Sequence, residues 1–192
     1  MAGRLLDAPV PRAISDAVAE ASRIKTRAID LAAYASDASH YLMTPEAVIV
    51  AADAEEVARL LAGATASRSR VTLRSGGTSL SGQAAGDGLL VDVRQRFRAI
   101  EVIDAGRRVK VQPGATVRQV NTRLAPYGYR LGPDPASEIA CTIGGVVANN
   151  SSGMACGTTS TWIALSRCSD SSTDRSNALM PACRKATPCA AV

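Results

Sequence analysis

Arg74-Ser75-Gly76-Gly77-Thr78-Ser79-Leu80-Ser81-Gly82-Gln83 follows directly on Val71-Thr72-Leu73, a strand-like triplet. The segment combines glycines at 76, 77 and 82 with hydroxyl side chains at 75, 78, 79 and 81. Glycine lets the backbone take positive φ and come close to a ligand, so that successive N–H groups can point at an anion, and hydroxyls add short donors. That is the composition of a phosphate cradle. Taken alone, the segment can also be read as a surface hairpin loop, although an ordinary turn needs fewer glycines.

A second stretch has the same character. Gly132-Pro133-Asp134-Pro135-Ala136-Ser137 is followed by Cys141-Thr142-Ile143-Gly144-Gly145-Val146-Val147-Ala148-Asn149-Asn150-Ser151-Ser152-Gly153. Its prolines rigidify an approach, and a Thr-Ile-Gly-Gly turn then leads to small, Asn and Ser residues that can donate to a ligand. Two such loops suggest one long ligand.

Working outward, the spacing of Ile14, Val18, Ala21 and Ile29 predicts a helix over 12–33. Ala47-Val48-Ile49-Val50 reads as a buried strand, and Asp53 caps a helix through Ala66 whose periodicity comes from Glu56, Val57, Leu60 and Leu61. With Val71–Leu73 this makes a β-α-β unit that delivers the Arg74 loop at a strand's C-terminal end, where ligands collect. From Gly88 the pattern changes to a meander of short strands at 89–93, 99–103 and 109–111 with a turn at Asp104-Ala105-Gly106. Thr116 caps a further helix holding Val117, Val120 and Leu124, ended by Pro126 and Gly128.

Composition narrows the function classes. The 192 residues, 46% of them hydrophobic, suffice for one cofactor-binding domain. No apolar run approaches the ~18 residues of a membrane span, and Met1–Pro11 contains no apolar leader core, so a cytoplasmic location is expected. Five cysteines (Cys141, Cys156, Cys168, Cys183 and Cys189) at irregular spacing suit reduced thiols, and without a Cys-x-x-Cys pair no metal site is expected. The net charge of +5 gathers at Arg94, Arg96, Arg98, Arg107, Arg108 and Lys110. With one Trp, four Tyr and one Phe for base stacking and no recognisable module, nucleic acid is not expected as a partner. His40, the single histidine, reads as a half-exposed loop residue rather than a catalytic base.

The order of several segments resembles the FAD-binding domain of the vanillyl-alcohol oxidase and p-cresol methylhydroxylase superfamily. They are Tyr34-Ala35-Ser36-Asp37-Ala38-Ser39, Thr44-Pro45-Glu46-Ala47-Val48, the Arg74 loop, Val111-Gln112-Pro113-Gly114, Pro133-Asp134-Pro135-Ala136-Ser137 and Thr142-Ile143-Gly144-Gly145. Within it, Ala35-Ser36-Asp37-Ala38-Ser39 and Ala148-Asn149-Asn150-Ser151-Ser152-Gly153-Met154 are similar to the D-lactate dehydrogenase-like flavoproteins. The resemblance implies an α+β fold, the two-lobed FAD-binding domain of the p-cresol methylhydroxylase type, truncated, as an N-terminal fragment. It divides the chain into a helical lead-in at 1–26, the incomplete FAD-binding domain at 27–159, and a tail at 160–192. In that tail no run fits a strand or amphipathic helix, and it is expected to be disordered or translated out of frame. Sequencing the locus across codon 160 separates those two.

The resemblance also implies roles. The backbone N–H groups of Ser75, Gly76, Gly77, Thr78 and Ser79, with Arg74 at the loop's start and Ser81, Gly82 and Gln83 continuing it, would cradle the FAD pyrophosphate. Thr142, Ile143, Gly144 and Gly145 would approach the pyrophosphate or ribityl chain, with Ser137, Asn149, Ser152 and Gly153 nearby. Pro113 and Gly114 would face the adenine half, and Pro133, Asp134 and Pro135 would wall the flavin. FAD is expected noncovalently, because the Arg74 loop has no histidine; Cys156 lies near the second loop in sequence. The implied activity is oxidation of a D-2-hydroxyacid such as D-lactate. No catalytic residue is assigned, because in relatives the substrate-facing base lies in a downstream cap domain, and little or no turnover is expected from this chain alone. For full-length relatives the resemblance implies a peripheral place at the inner membrane as an alternative to a cytoplasmic one. Two alternatives stay open: a flavin domain of another oxidase or a molybdenum hydroxylase, and a nucleotide-binding module without redox chemistry.

Overall fold

The computed structural model describes residues 10–153 and, as backbone, 178–184. The chain divides into two units, Met1–Phe97 and Arg98–Val192.

In the first unit the elements run α1 (Arg12–Ser15), β1 (Ile24–Lys25), α2 (Ala28–Tyr34), β2 (Ala47–Val50), α3 (Ala54–Ser67), β3 (Val71–Arg74) and β4 (Leu89–Asp92). The single helix expected over 12–33 is therefore replaced by two short helices with a strand between them. The cause is long-range. Arg23 is buried, its guanidinium grips Glu56 of α3 through two bonds of 2.5 and 2.7 Å, and it donates to the Val50 carbonyl at 2.9 Å. Ile24 and Lys25 then pair antiparallel with Ile49 and Val48. Tertiary contacts of this kind override a weak helical pattern.

The sheet order is β1-β2-β4-β3, with β4 parallel to both β2 and β3. The expected β-α-β unit is present as β2-α3-β3, but β4 lies between its two strands and does not belong to a meander with the strands after it. Its sequence agrees with that position. Leu89, Leu90, Val91 and Asp92 are all buried, and an uninterrupted apolar run suits a parallel strand covered on both faces. Ala47, Ile49, Leu89 and Val91 pack with Ile14, Leu60 and Ala64 in one core, and Val48 and Leu90 pack with Leu31 of α2 in another. Asp53 caps α3 by accepting from the Glu56 N–H at 2.7 Å. The Arg74 loop thus leaves the C-terminal end of an edge strand.

The second unit contains β5 (Ile100–Ile103), β6 (Arg108–Val111), α4 (Val117–Leu124), β7 (Tyr129–Leu131), α5 (Ile143–Ala148) and β8 (Ala178–Arg184). Its sheet runs β5-β6-β8-β7 and every pairing is antiparallel. Thr116 and Gln119 close a reciprocal capping box on α4. Val109, Val111, Val117, Val120, Leu124, Leu131, Ile143 and Val146 form the core. Ala178–Arg184 corrects the expectation that nothing in 160–192 fits a strand, since it pairs with β6 through Arg108–Pro181 and with β7 through Leu131–Ala182. Pro181 is a local signal against a strand, so only the pairing itself reveals it. The remainder of the tail, 160–177 and 185–192, lies outside the described residues, as do residues 1–9, Cys156, Cys168 and Cys189.

Candidate functional site

The glycine-rich loop is shaped from within. Gly77 has φ +67°, which strains any side chain, and a Cβ there would stand 2.5 Å from Nη2 of Arg74, so it would also have to displace that guanidinium. Its carbonyl accepts from the Ala38 N–H at 3.0 Å. Gly82 also has positive φ, +80°, with the Tyr41 ring where a Cβ would lie. The Ser79 hydroxyl donates to Gln83 Oε1 and accepts from the N–H groups of Ser81 and Gln83 at 3.2 and 3.4 Å, so both side chains serve to hold the loop's own shape. Among the described residues, the N–H groups of Gly76, Gly77, Thr78 and Ser79 meet no protein acceptor. Four consecutive amide donors in a glycine-rich bend behind a strand end are a set that fits a phosphate.

Arg74 itself is turned inward. Nη1 donates to the carbonyls of Ala84 (3.0 Å) and Tyr34 (3.4 Å), Nη2 donates to that of Ser36 (2.9 Å), and the guanidinium lies 5.8 Å from the centre of the Tyr34 ring. Tyr34 and Asp92 were not among the residues expected here. The Tyr34 hydroxyl donates to Asp92 Oδ2 at 2.6 Å, the Arg94 N–H donates to Asp92 Oδ1 at 2.7 Å, and Gln95 Nε2 reaches both the phenol and Oδ2 at 3.3 Å. Burial, reinforced by the Asp92 hydrogen bond, pushes the Tyr34 phenol up to about 12. At Asp37 burial works against ionisation, but the Ser39 hydrogen bonds, the Ala84 N–H and the Arg74 charge outweigh it and hold the carboxyl below its usual range. Tyr34 and Asp37 sit inside the 34–39 segment already singled out by the sequence. Asp92 offered only the signal of an acid closing an otherwise apolar run.

In the second unit the structure brings several expected residues together. Gly144 donates to the Pro113 carbonyl and Ile143 to that of Ala115, both at 2.9 Å, and a Cβ on Gly144 would stand 2.7 Å from Cβ of Pro113. Gly114 is buried beside this contact. The Thr-Ile-Gly-Gly segment, expected as a turn, is the start of helix α5, with Thr142 at its N-cap. Asp134 donates its N–H to the Ser152 carbonyl at 3.0 Å and bridges to Gly153, whose φ is +91° and whose absent Cβ would clash with Asp134. Pro133 is buried, Pro135 accepts from the Glu138 N–H at 2.9 Å, and the Ser137 carbonyl accepts from Ala140 and Cys141 at 2.8 Å. Asn149 is exposed at the end of α5. Burial pushes the Cys141 thiol up, with Ser137 hydrogen bonding opposing it, so this sulfur is a poor nucleophile. No group of three His, Cys, Asp or Glu among the described residues is placed to hold a metal ion, and no helix among them is long and apolar enough to cross a membrane.

The sequence matches the FAD binding domain family over residues 45–164. Over 121 residues it is 39% identical to the glycolate oxidase subunit GlcD of Escherichia coli, covering 62% of this chain and 24% of that protein. It is 32% identical over 130 residues to the D-lactate dehydrogenase of Archaeoglobus fulgidus, covering 64% of this chain and 29% of that one. The chain therefore spans less than a third of the length of these curated relatives. Alkyldihydroxyacetonephosphate synthase shares the fold, with a TM-score of 0.66 at 21% identity over 76% of this chain and 31% of its own. The glycine-rich loop at the end of a parallel strand, the mixed helix-and-sheet units and these matches lead to one conclusion: the chain belongs to the FAD binding domain family of p-cresol methylhydroxylase-type flavoproteins.

Proposed function

We propose that this chain is the FAD-binding part of an FAD-linked oxidoreductase acting on a D-2-hydroxyacid such as D-lactate, that it holds FAD noncovalently, and that it has no turnover alone. The observation that carries the reading is the row of amides at Gly76, Gly77, Thr78 and Ser79, which meet no acceptor among the described residues. With Ser75 they would bind the pyrophosphate, a dianion to which main-chain donors are suited. Ser79 and Gln83 keep the loop in shape, and the inward Arg74 keeps its two ends together. Within the second unit, Pro113, Gly114, Pro133, Asp134, Pro135, Ser137, Thr142, Ile143, Gly144, Gly145, Asn149, Ser152 and Gly153 are proposed as cofactor-binding residues on the family resemblance. FAD, when bound, supplies the hydride acceptor of such enzymes.

The substrate class rests on the relatives' names, a glycolate oxidase subunit and a D-lactate dehydrogenase, since glycolate and lactate are both 2-hydroxyacids. No described residue is assigned as the base or as the binder of the substrate carboxylate. The test is to load the chain with FAD, precipitate it with acid, and assay a second sample with D-lactate and a redox dye. All flavin in the supernatant and no dye reduction are expected. Flavin left on the precipitate would contradict noncovalent binding, and lactate-dependent dye reduction would contradict the absence of turnover.

A further inference from the structure

Tyr34 joins three parts of the first unit that are distant in sequence. Its carbonyl and its ring both meet the Arg74 guanidinium, which in turn holds the Ala84 and Ser36 carbonyls. Its hydroxyl reaches across to Asp92, an acid only 3% exposed at the C-terminal end of β4. Asp92 is fixed from its own side by the Arg94 N–H and Gln95. Through Arg74 on its carbonyl and ring and Asp92 on its hydroxyl, one tyrosine thereby ties together the strand before the loop, the residue just past the loop's end and the neighbouring strand. Gly77 leaves no space for a side chain beside the same guanidinium, so the loop is folded over this clamp.

We propose that Tyr34 and Asp92 are positioning residues for the glycine-rich loop, acting through Arg74 to fix the amides of Gly76 to Ser79 in a single array. This rests on the reading of that loop as the pyrophosphate cradle. A fixed array loses no ordering entropy when the anion binds, whereas a loosened one must be ordered at the expense of affinity. The phenol-carboxylate link contributes to that order as a hydrogen bond to a charged acceptor in a buried place.

Two measurements on the full chain test the proposal independently. In the first, Tyr34→Phe, which keeps the ring over Arg74 and removes the hydroxyl link, is expected to weaken FAD binding about fivefold to tenfold, the ratio of one lost side-chain hydrogen bond, and Asp92→Ala, which also gives up the Arg94 and Gln95 contacts, at least as much. AMP, which lacks the pyrophosphate, should bind as it does to the parent, and Asp92→Asn, which keeps an acceptor for the phenol, should recover most of the loss. In the second, trypsin cleavage between Arg74 and Ser75 is followed by mass spectrometry against cleavage after Arg59. Arg74 must leave its three carbonyls to enter the protease, so this cut is expected to quicken about fivefold or more in both variants relative to the reference site. Parent-like FAD affinity together with an unchanged Arg74 cut would overturn the proposal. If the parent itself does not bind FAD while the Arg74 cut still quickens, the cradle reading fails and the clamp stands.

Discussion

The glycine-rich loop proposed to hold the pyrophosphate depends on residues that do nothing chemical. Gly77 is the sharpest case, because its φ of +67° and the guanidinium 2.5 Å from the place of a Cβ leave no substitution without strain. Gly77→Ala is expected to weaken FAD binding about tenfold or more, given roughly 1–2 kcal/mol for an alanine held at positive φ; a flavin titration of the folded variant checks it. Arg23 and Glu56 act in the opposite way, through charge. Both are buried and doubly hydrogen-bonded, so Glu56→Gln leaves a buried cation with only the exposed Glu20 carboxylate, 3.9 Å away, in ion-pair range, and a loss of roughly 3–5 kcal/mol in urea unfolding is expected.

The same pair sets a pH dependence. Hydrogen bonding from Arg23, opposed by burial and aided by the Ala52 N–H, holds the Glu56 carboxyl below its usual 4.5. A carboxyl that ionises more readily in the native than in the unfolded chain contributes all of its stability above that value and loses it as pH falls through the lowered native one. Asp37 titrates in the same sense. The urea midpoint should therefore fall between pH 6 and pH 3 in the parent, and fall less in Glu56→Gln. A slope equal in both would show that the pair does not set it.

At the scale of elements, the readable parts were those whose signals are local. Asp53 before an amphipathic run gave α3, and Thr116 before Val117, Val120 and Leu124 gave α4, although the Gln119 half of its capping box was not read. Thr116→Ala should cost about 1 kcal/mol of the second unit's stability, visible as a lower thermal midpoint. The helix expected over 12–33 failed because Arg23 is drawn to α3 and Ile24 to β2, partners 33 and 25 residues away that no local period encodes. β4 was placed in the wrong sheet for the same reason. Its apolar run was visible, but that β2 and β3 would flank it was not. β8 was invisible because Pro181 speaks against a strand, and the pairing that makes one lies about 50 to 70 residues back at β6 and β7. Within the glycine-rich loop, Gly77 and Gly82 were legible because their positive φ calls for glycine, and Ser79 because its hydroxyl holds the loop's own shape. The inward turn of Arg74 and the Tyr34–Asp92 link were not, because a long side chain's partners are set only by the folded sheet.

For the whole molecule, the family match over residues 45–164 reaches across both units, while relatives such as the glycolate oxidase subunit extend far beyond the part matched. An FAD-binding domain is thus present in a chain to which no substrate-handling residue is assigned. Whether the cradle binds its cofactor is decided by the visible absorption spectrum of the purified chain after incubation with FAD and removal of free cofactor. Bands near ~370 and ~450 nm that stay with the protein and leave on denaturation are the expected result. A colourless protein that circular dichroism shows to be folded would contradict it.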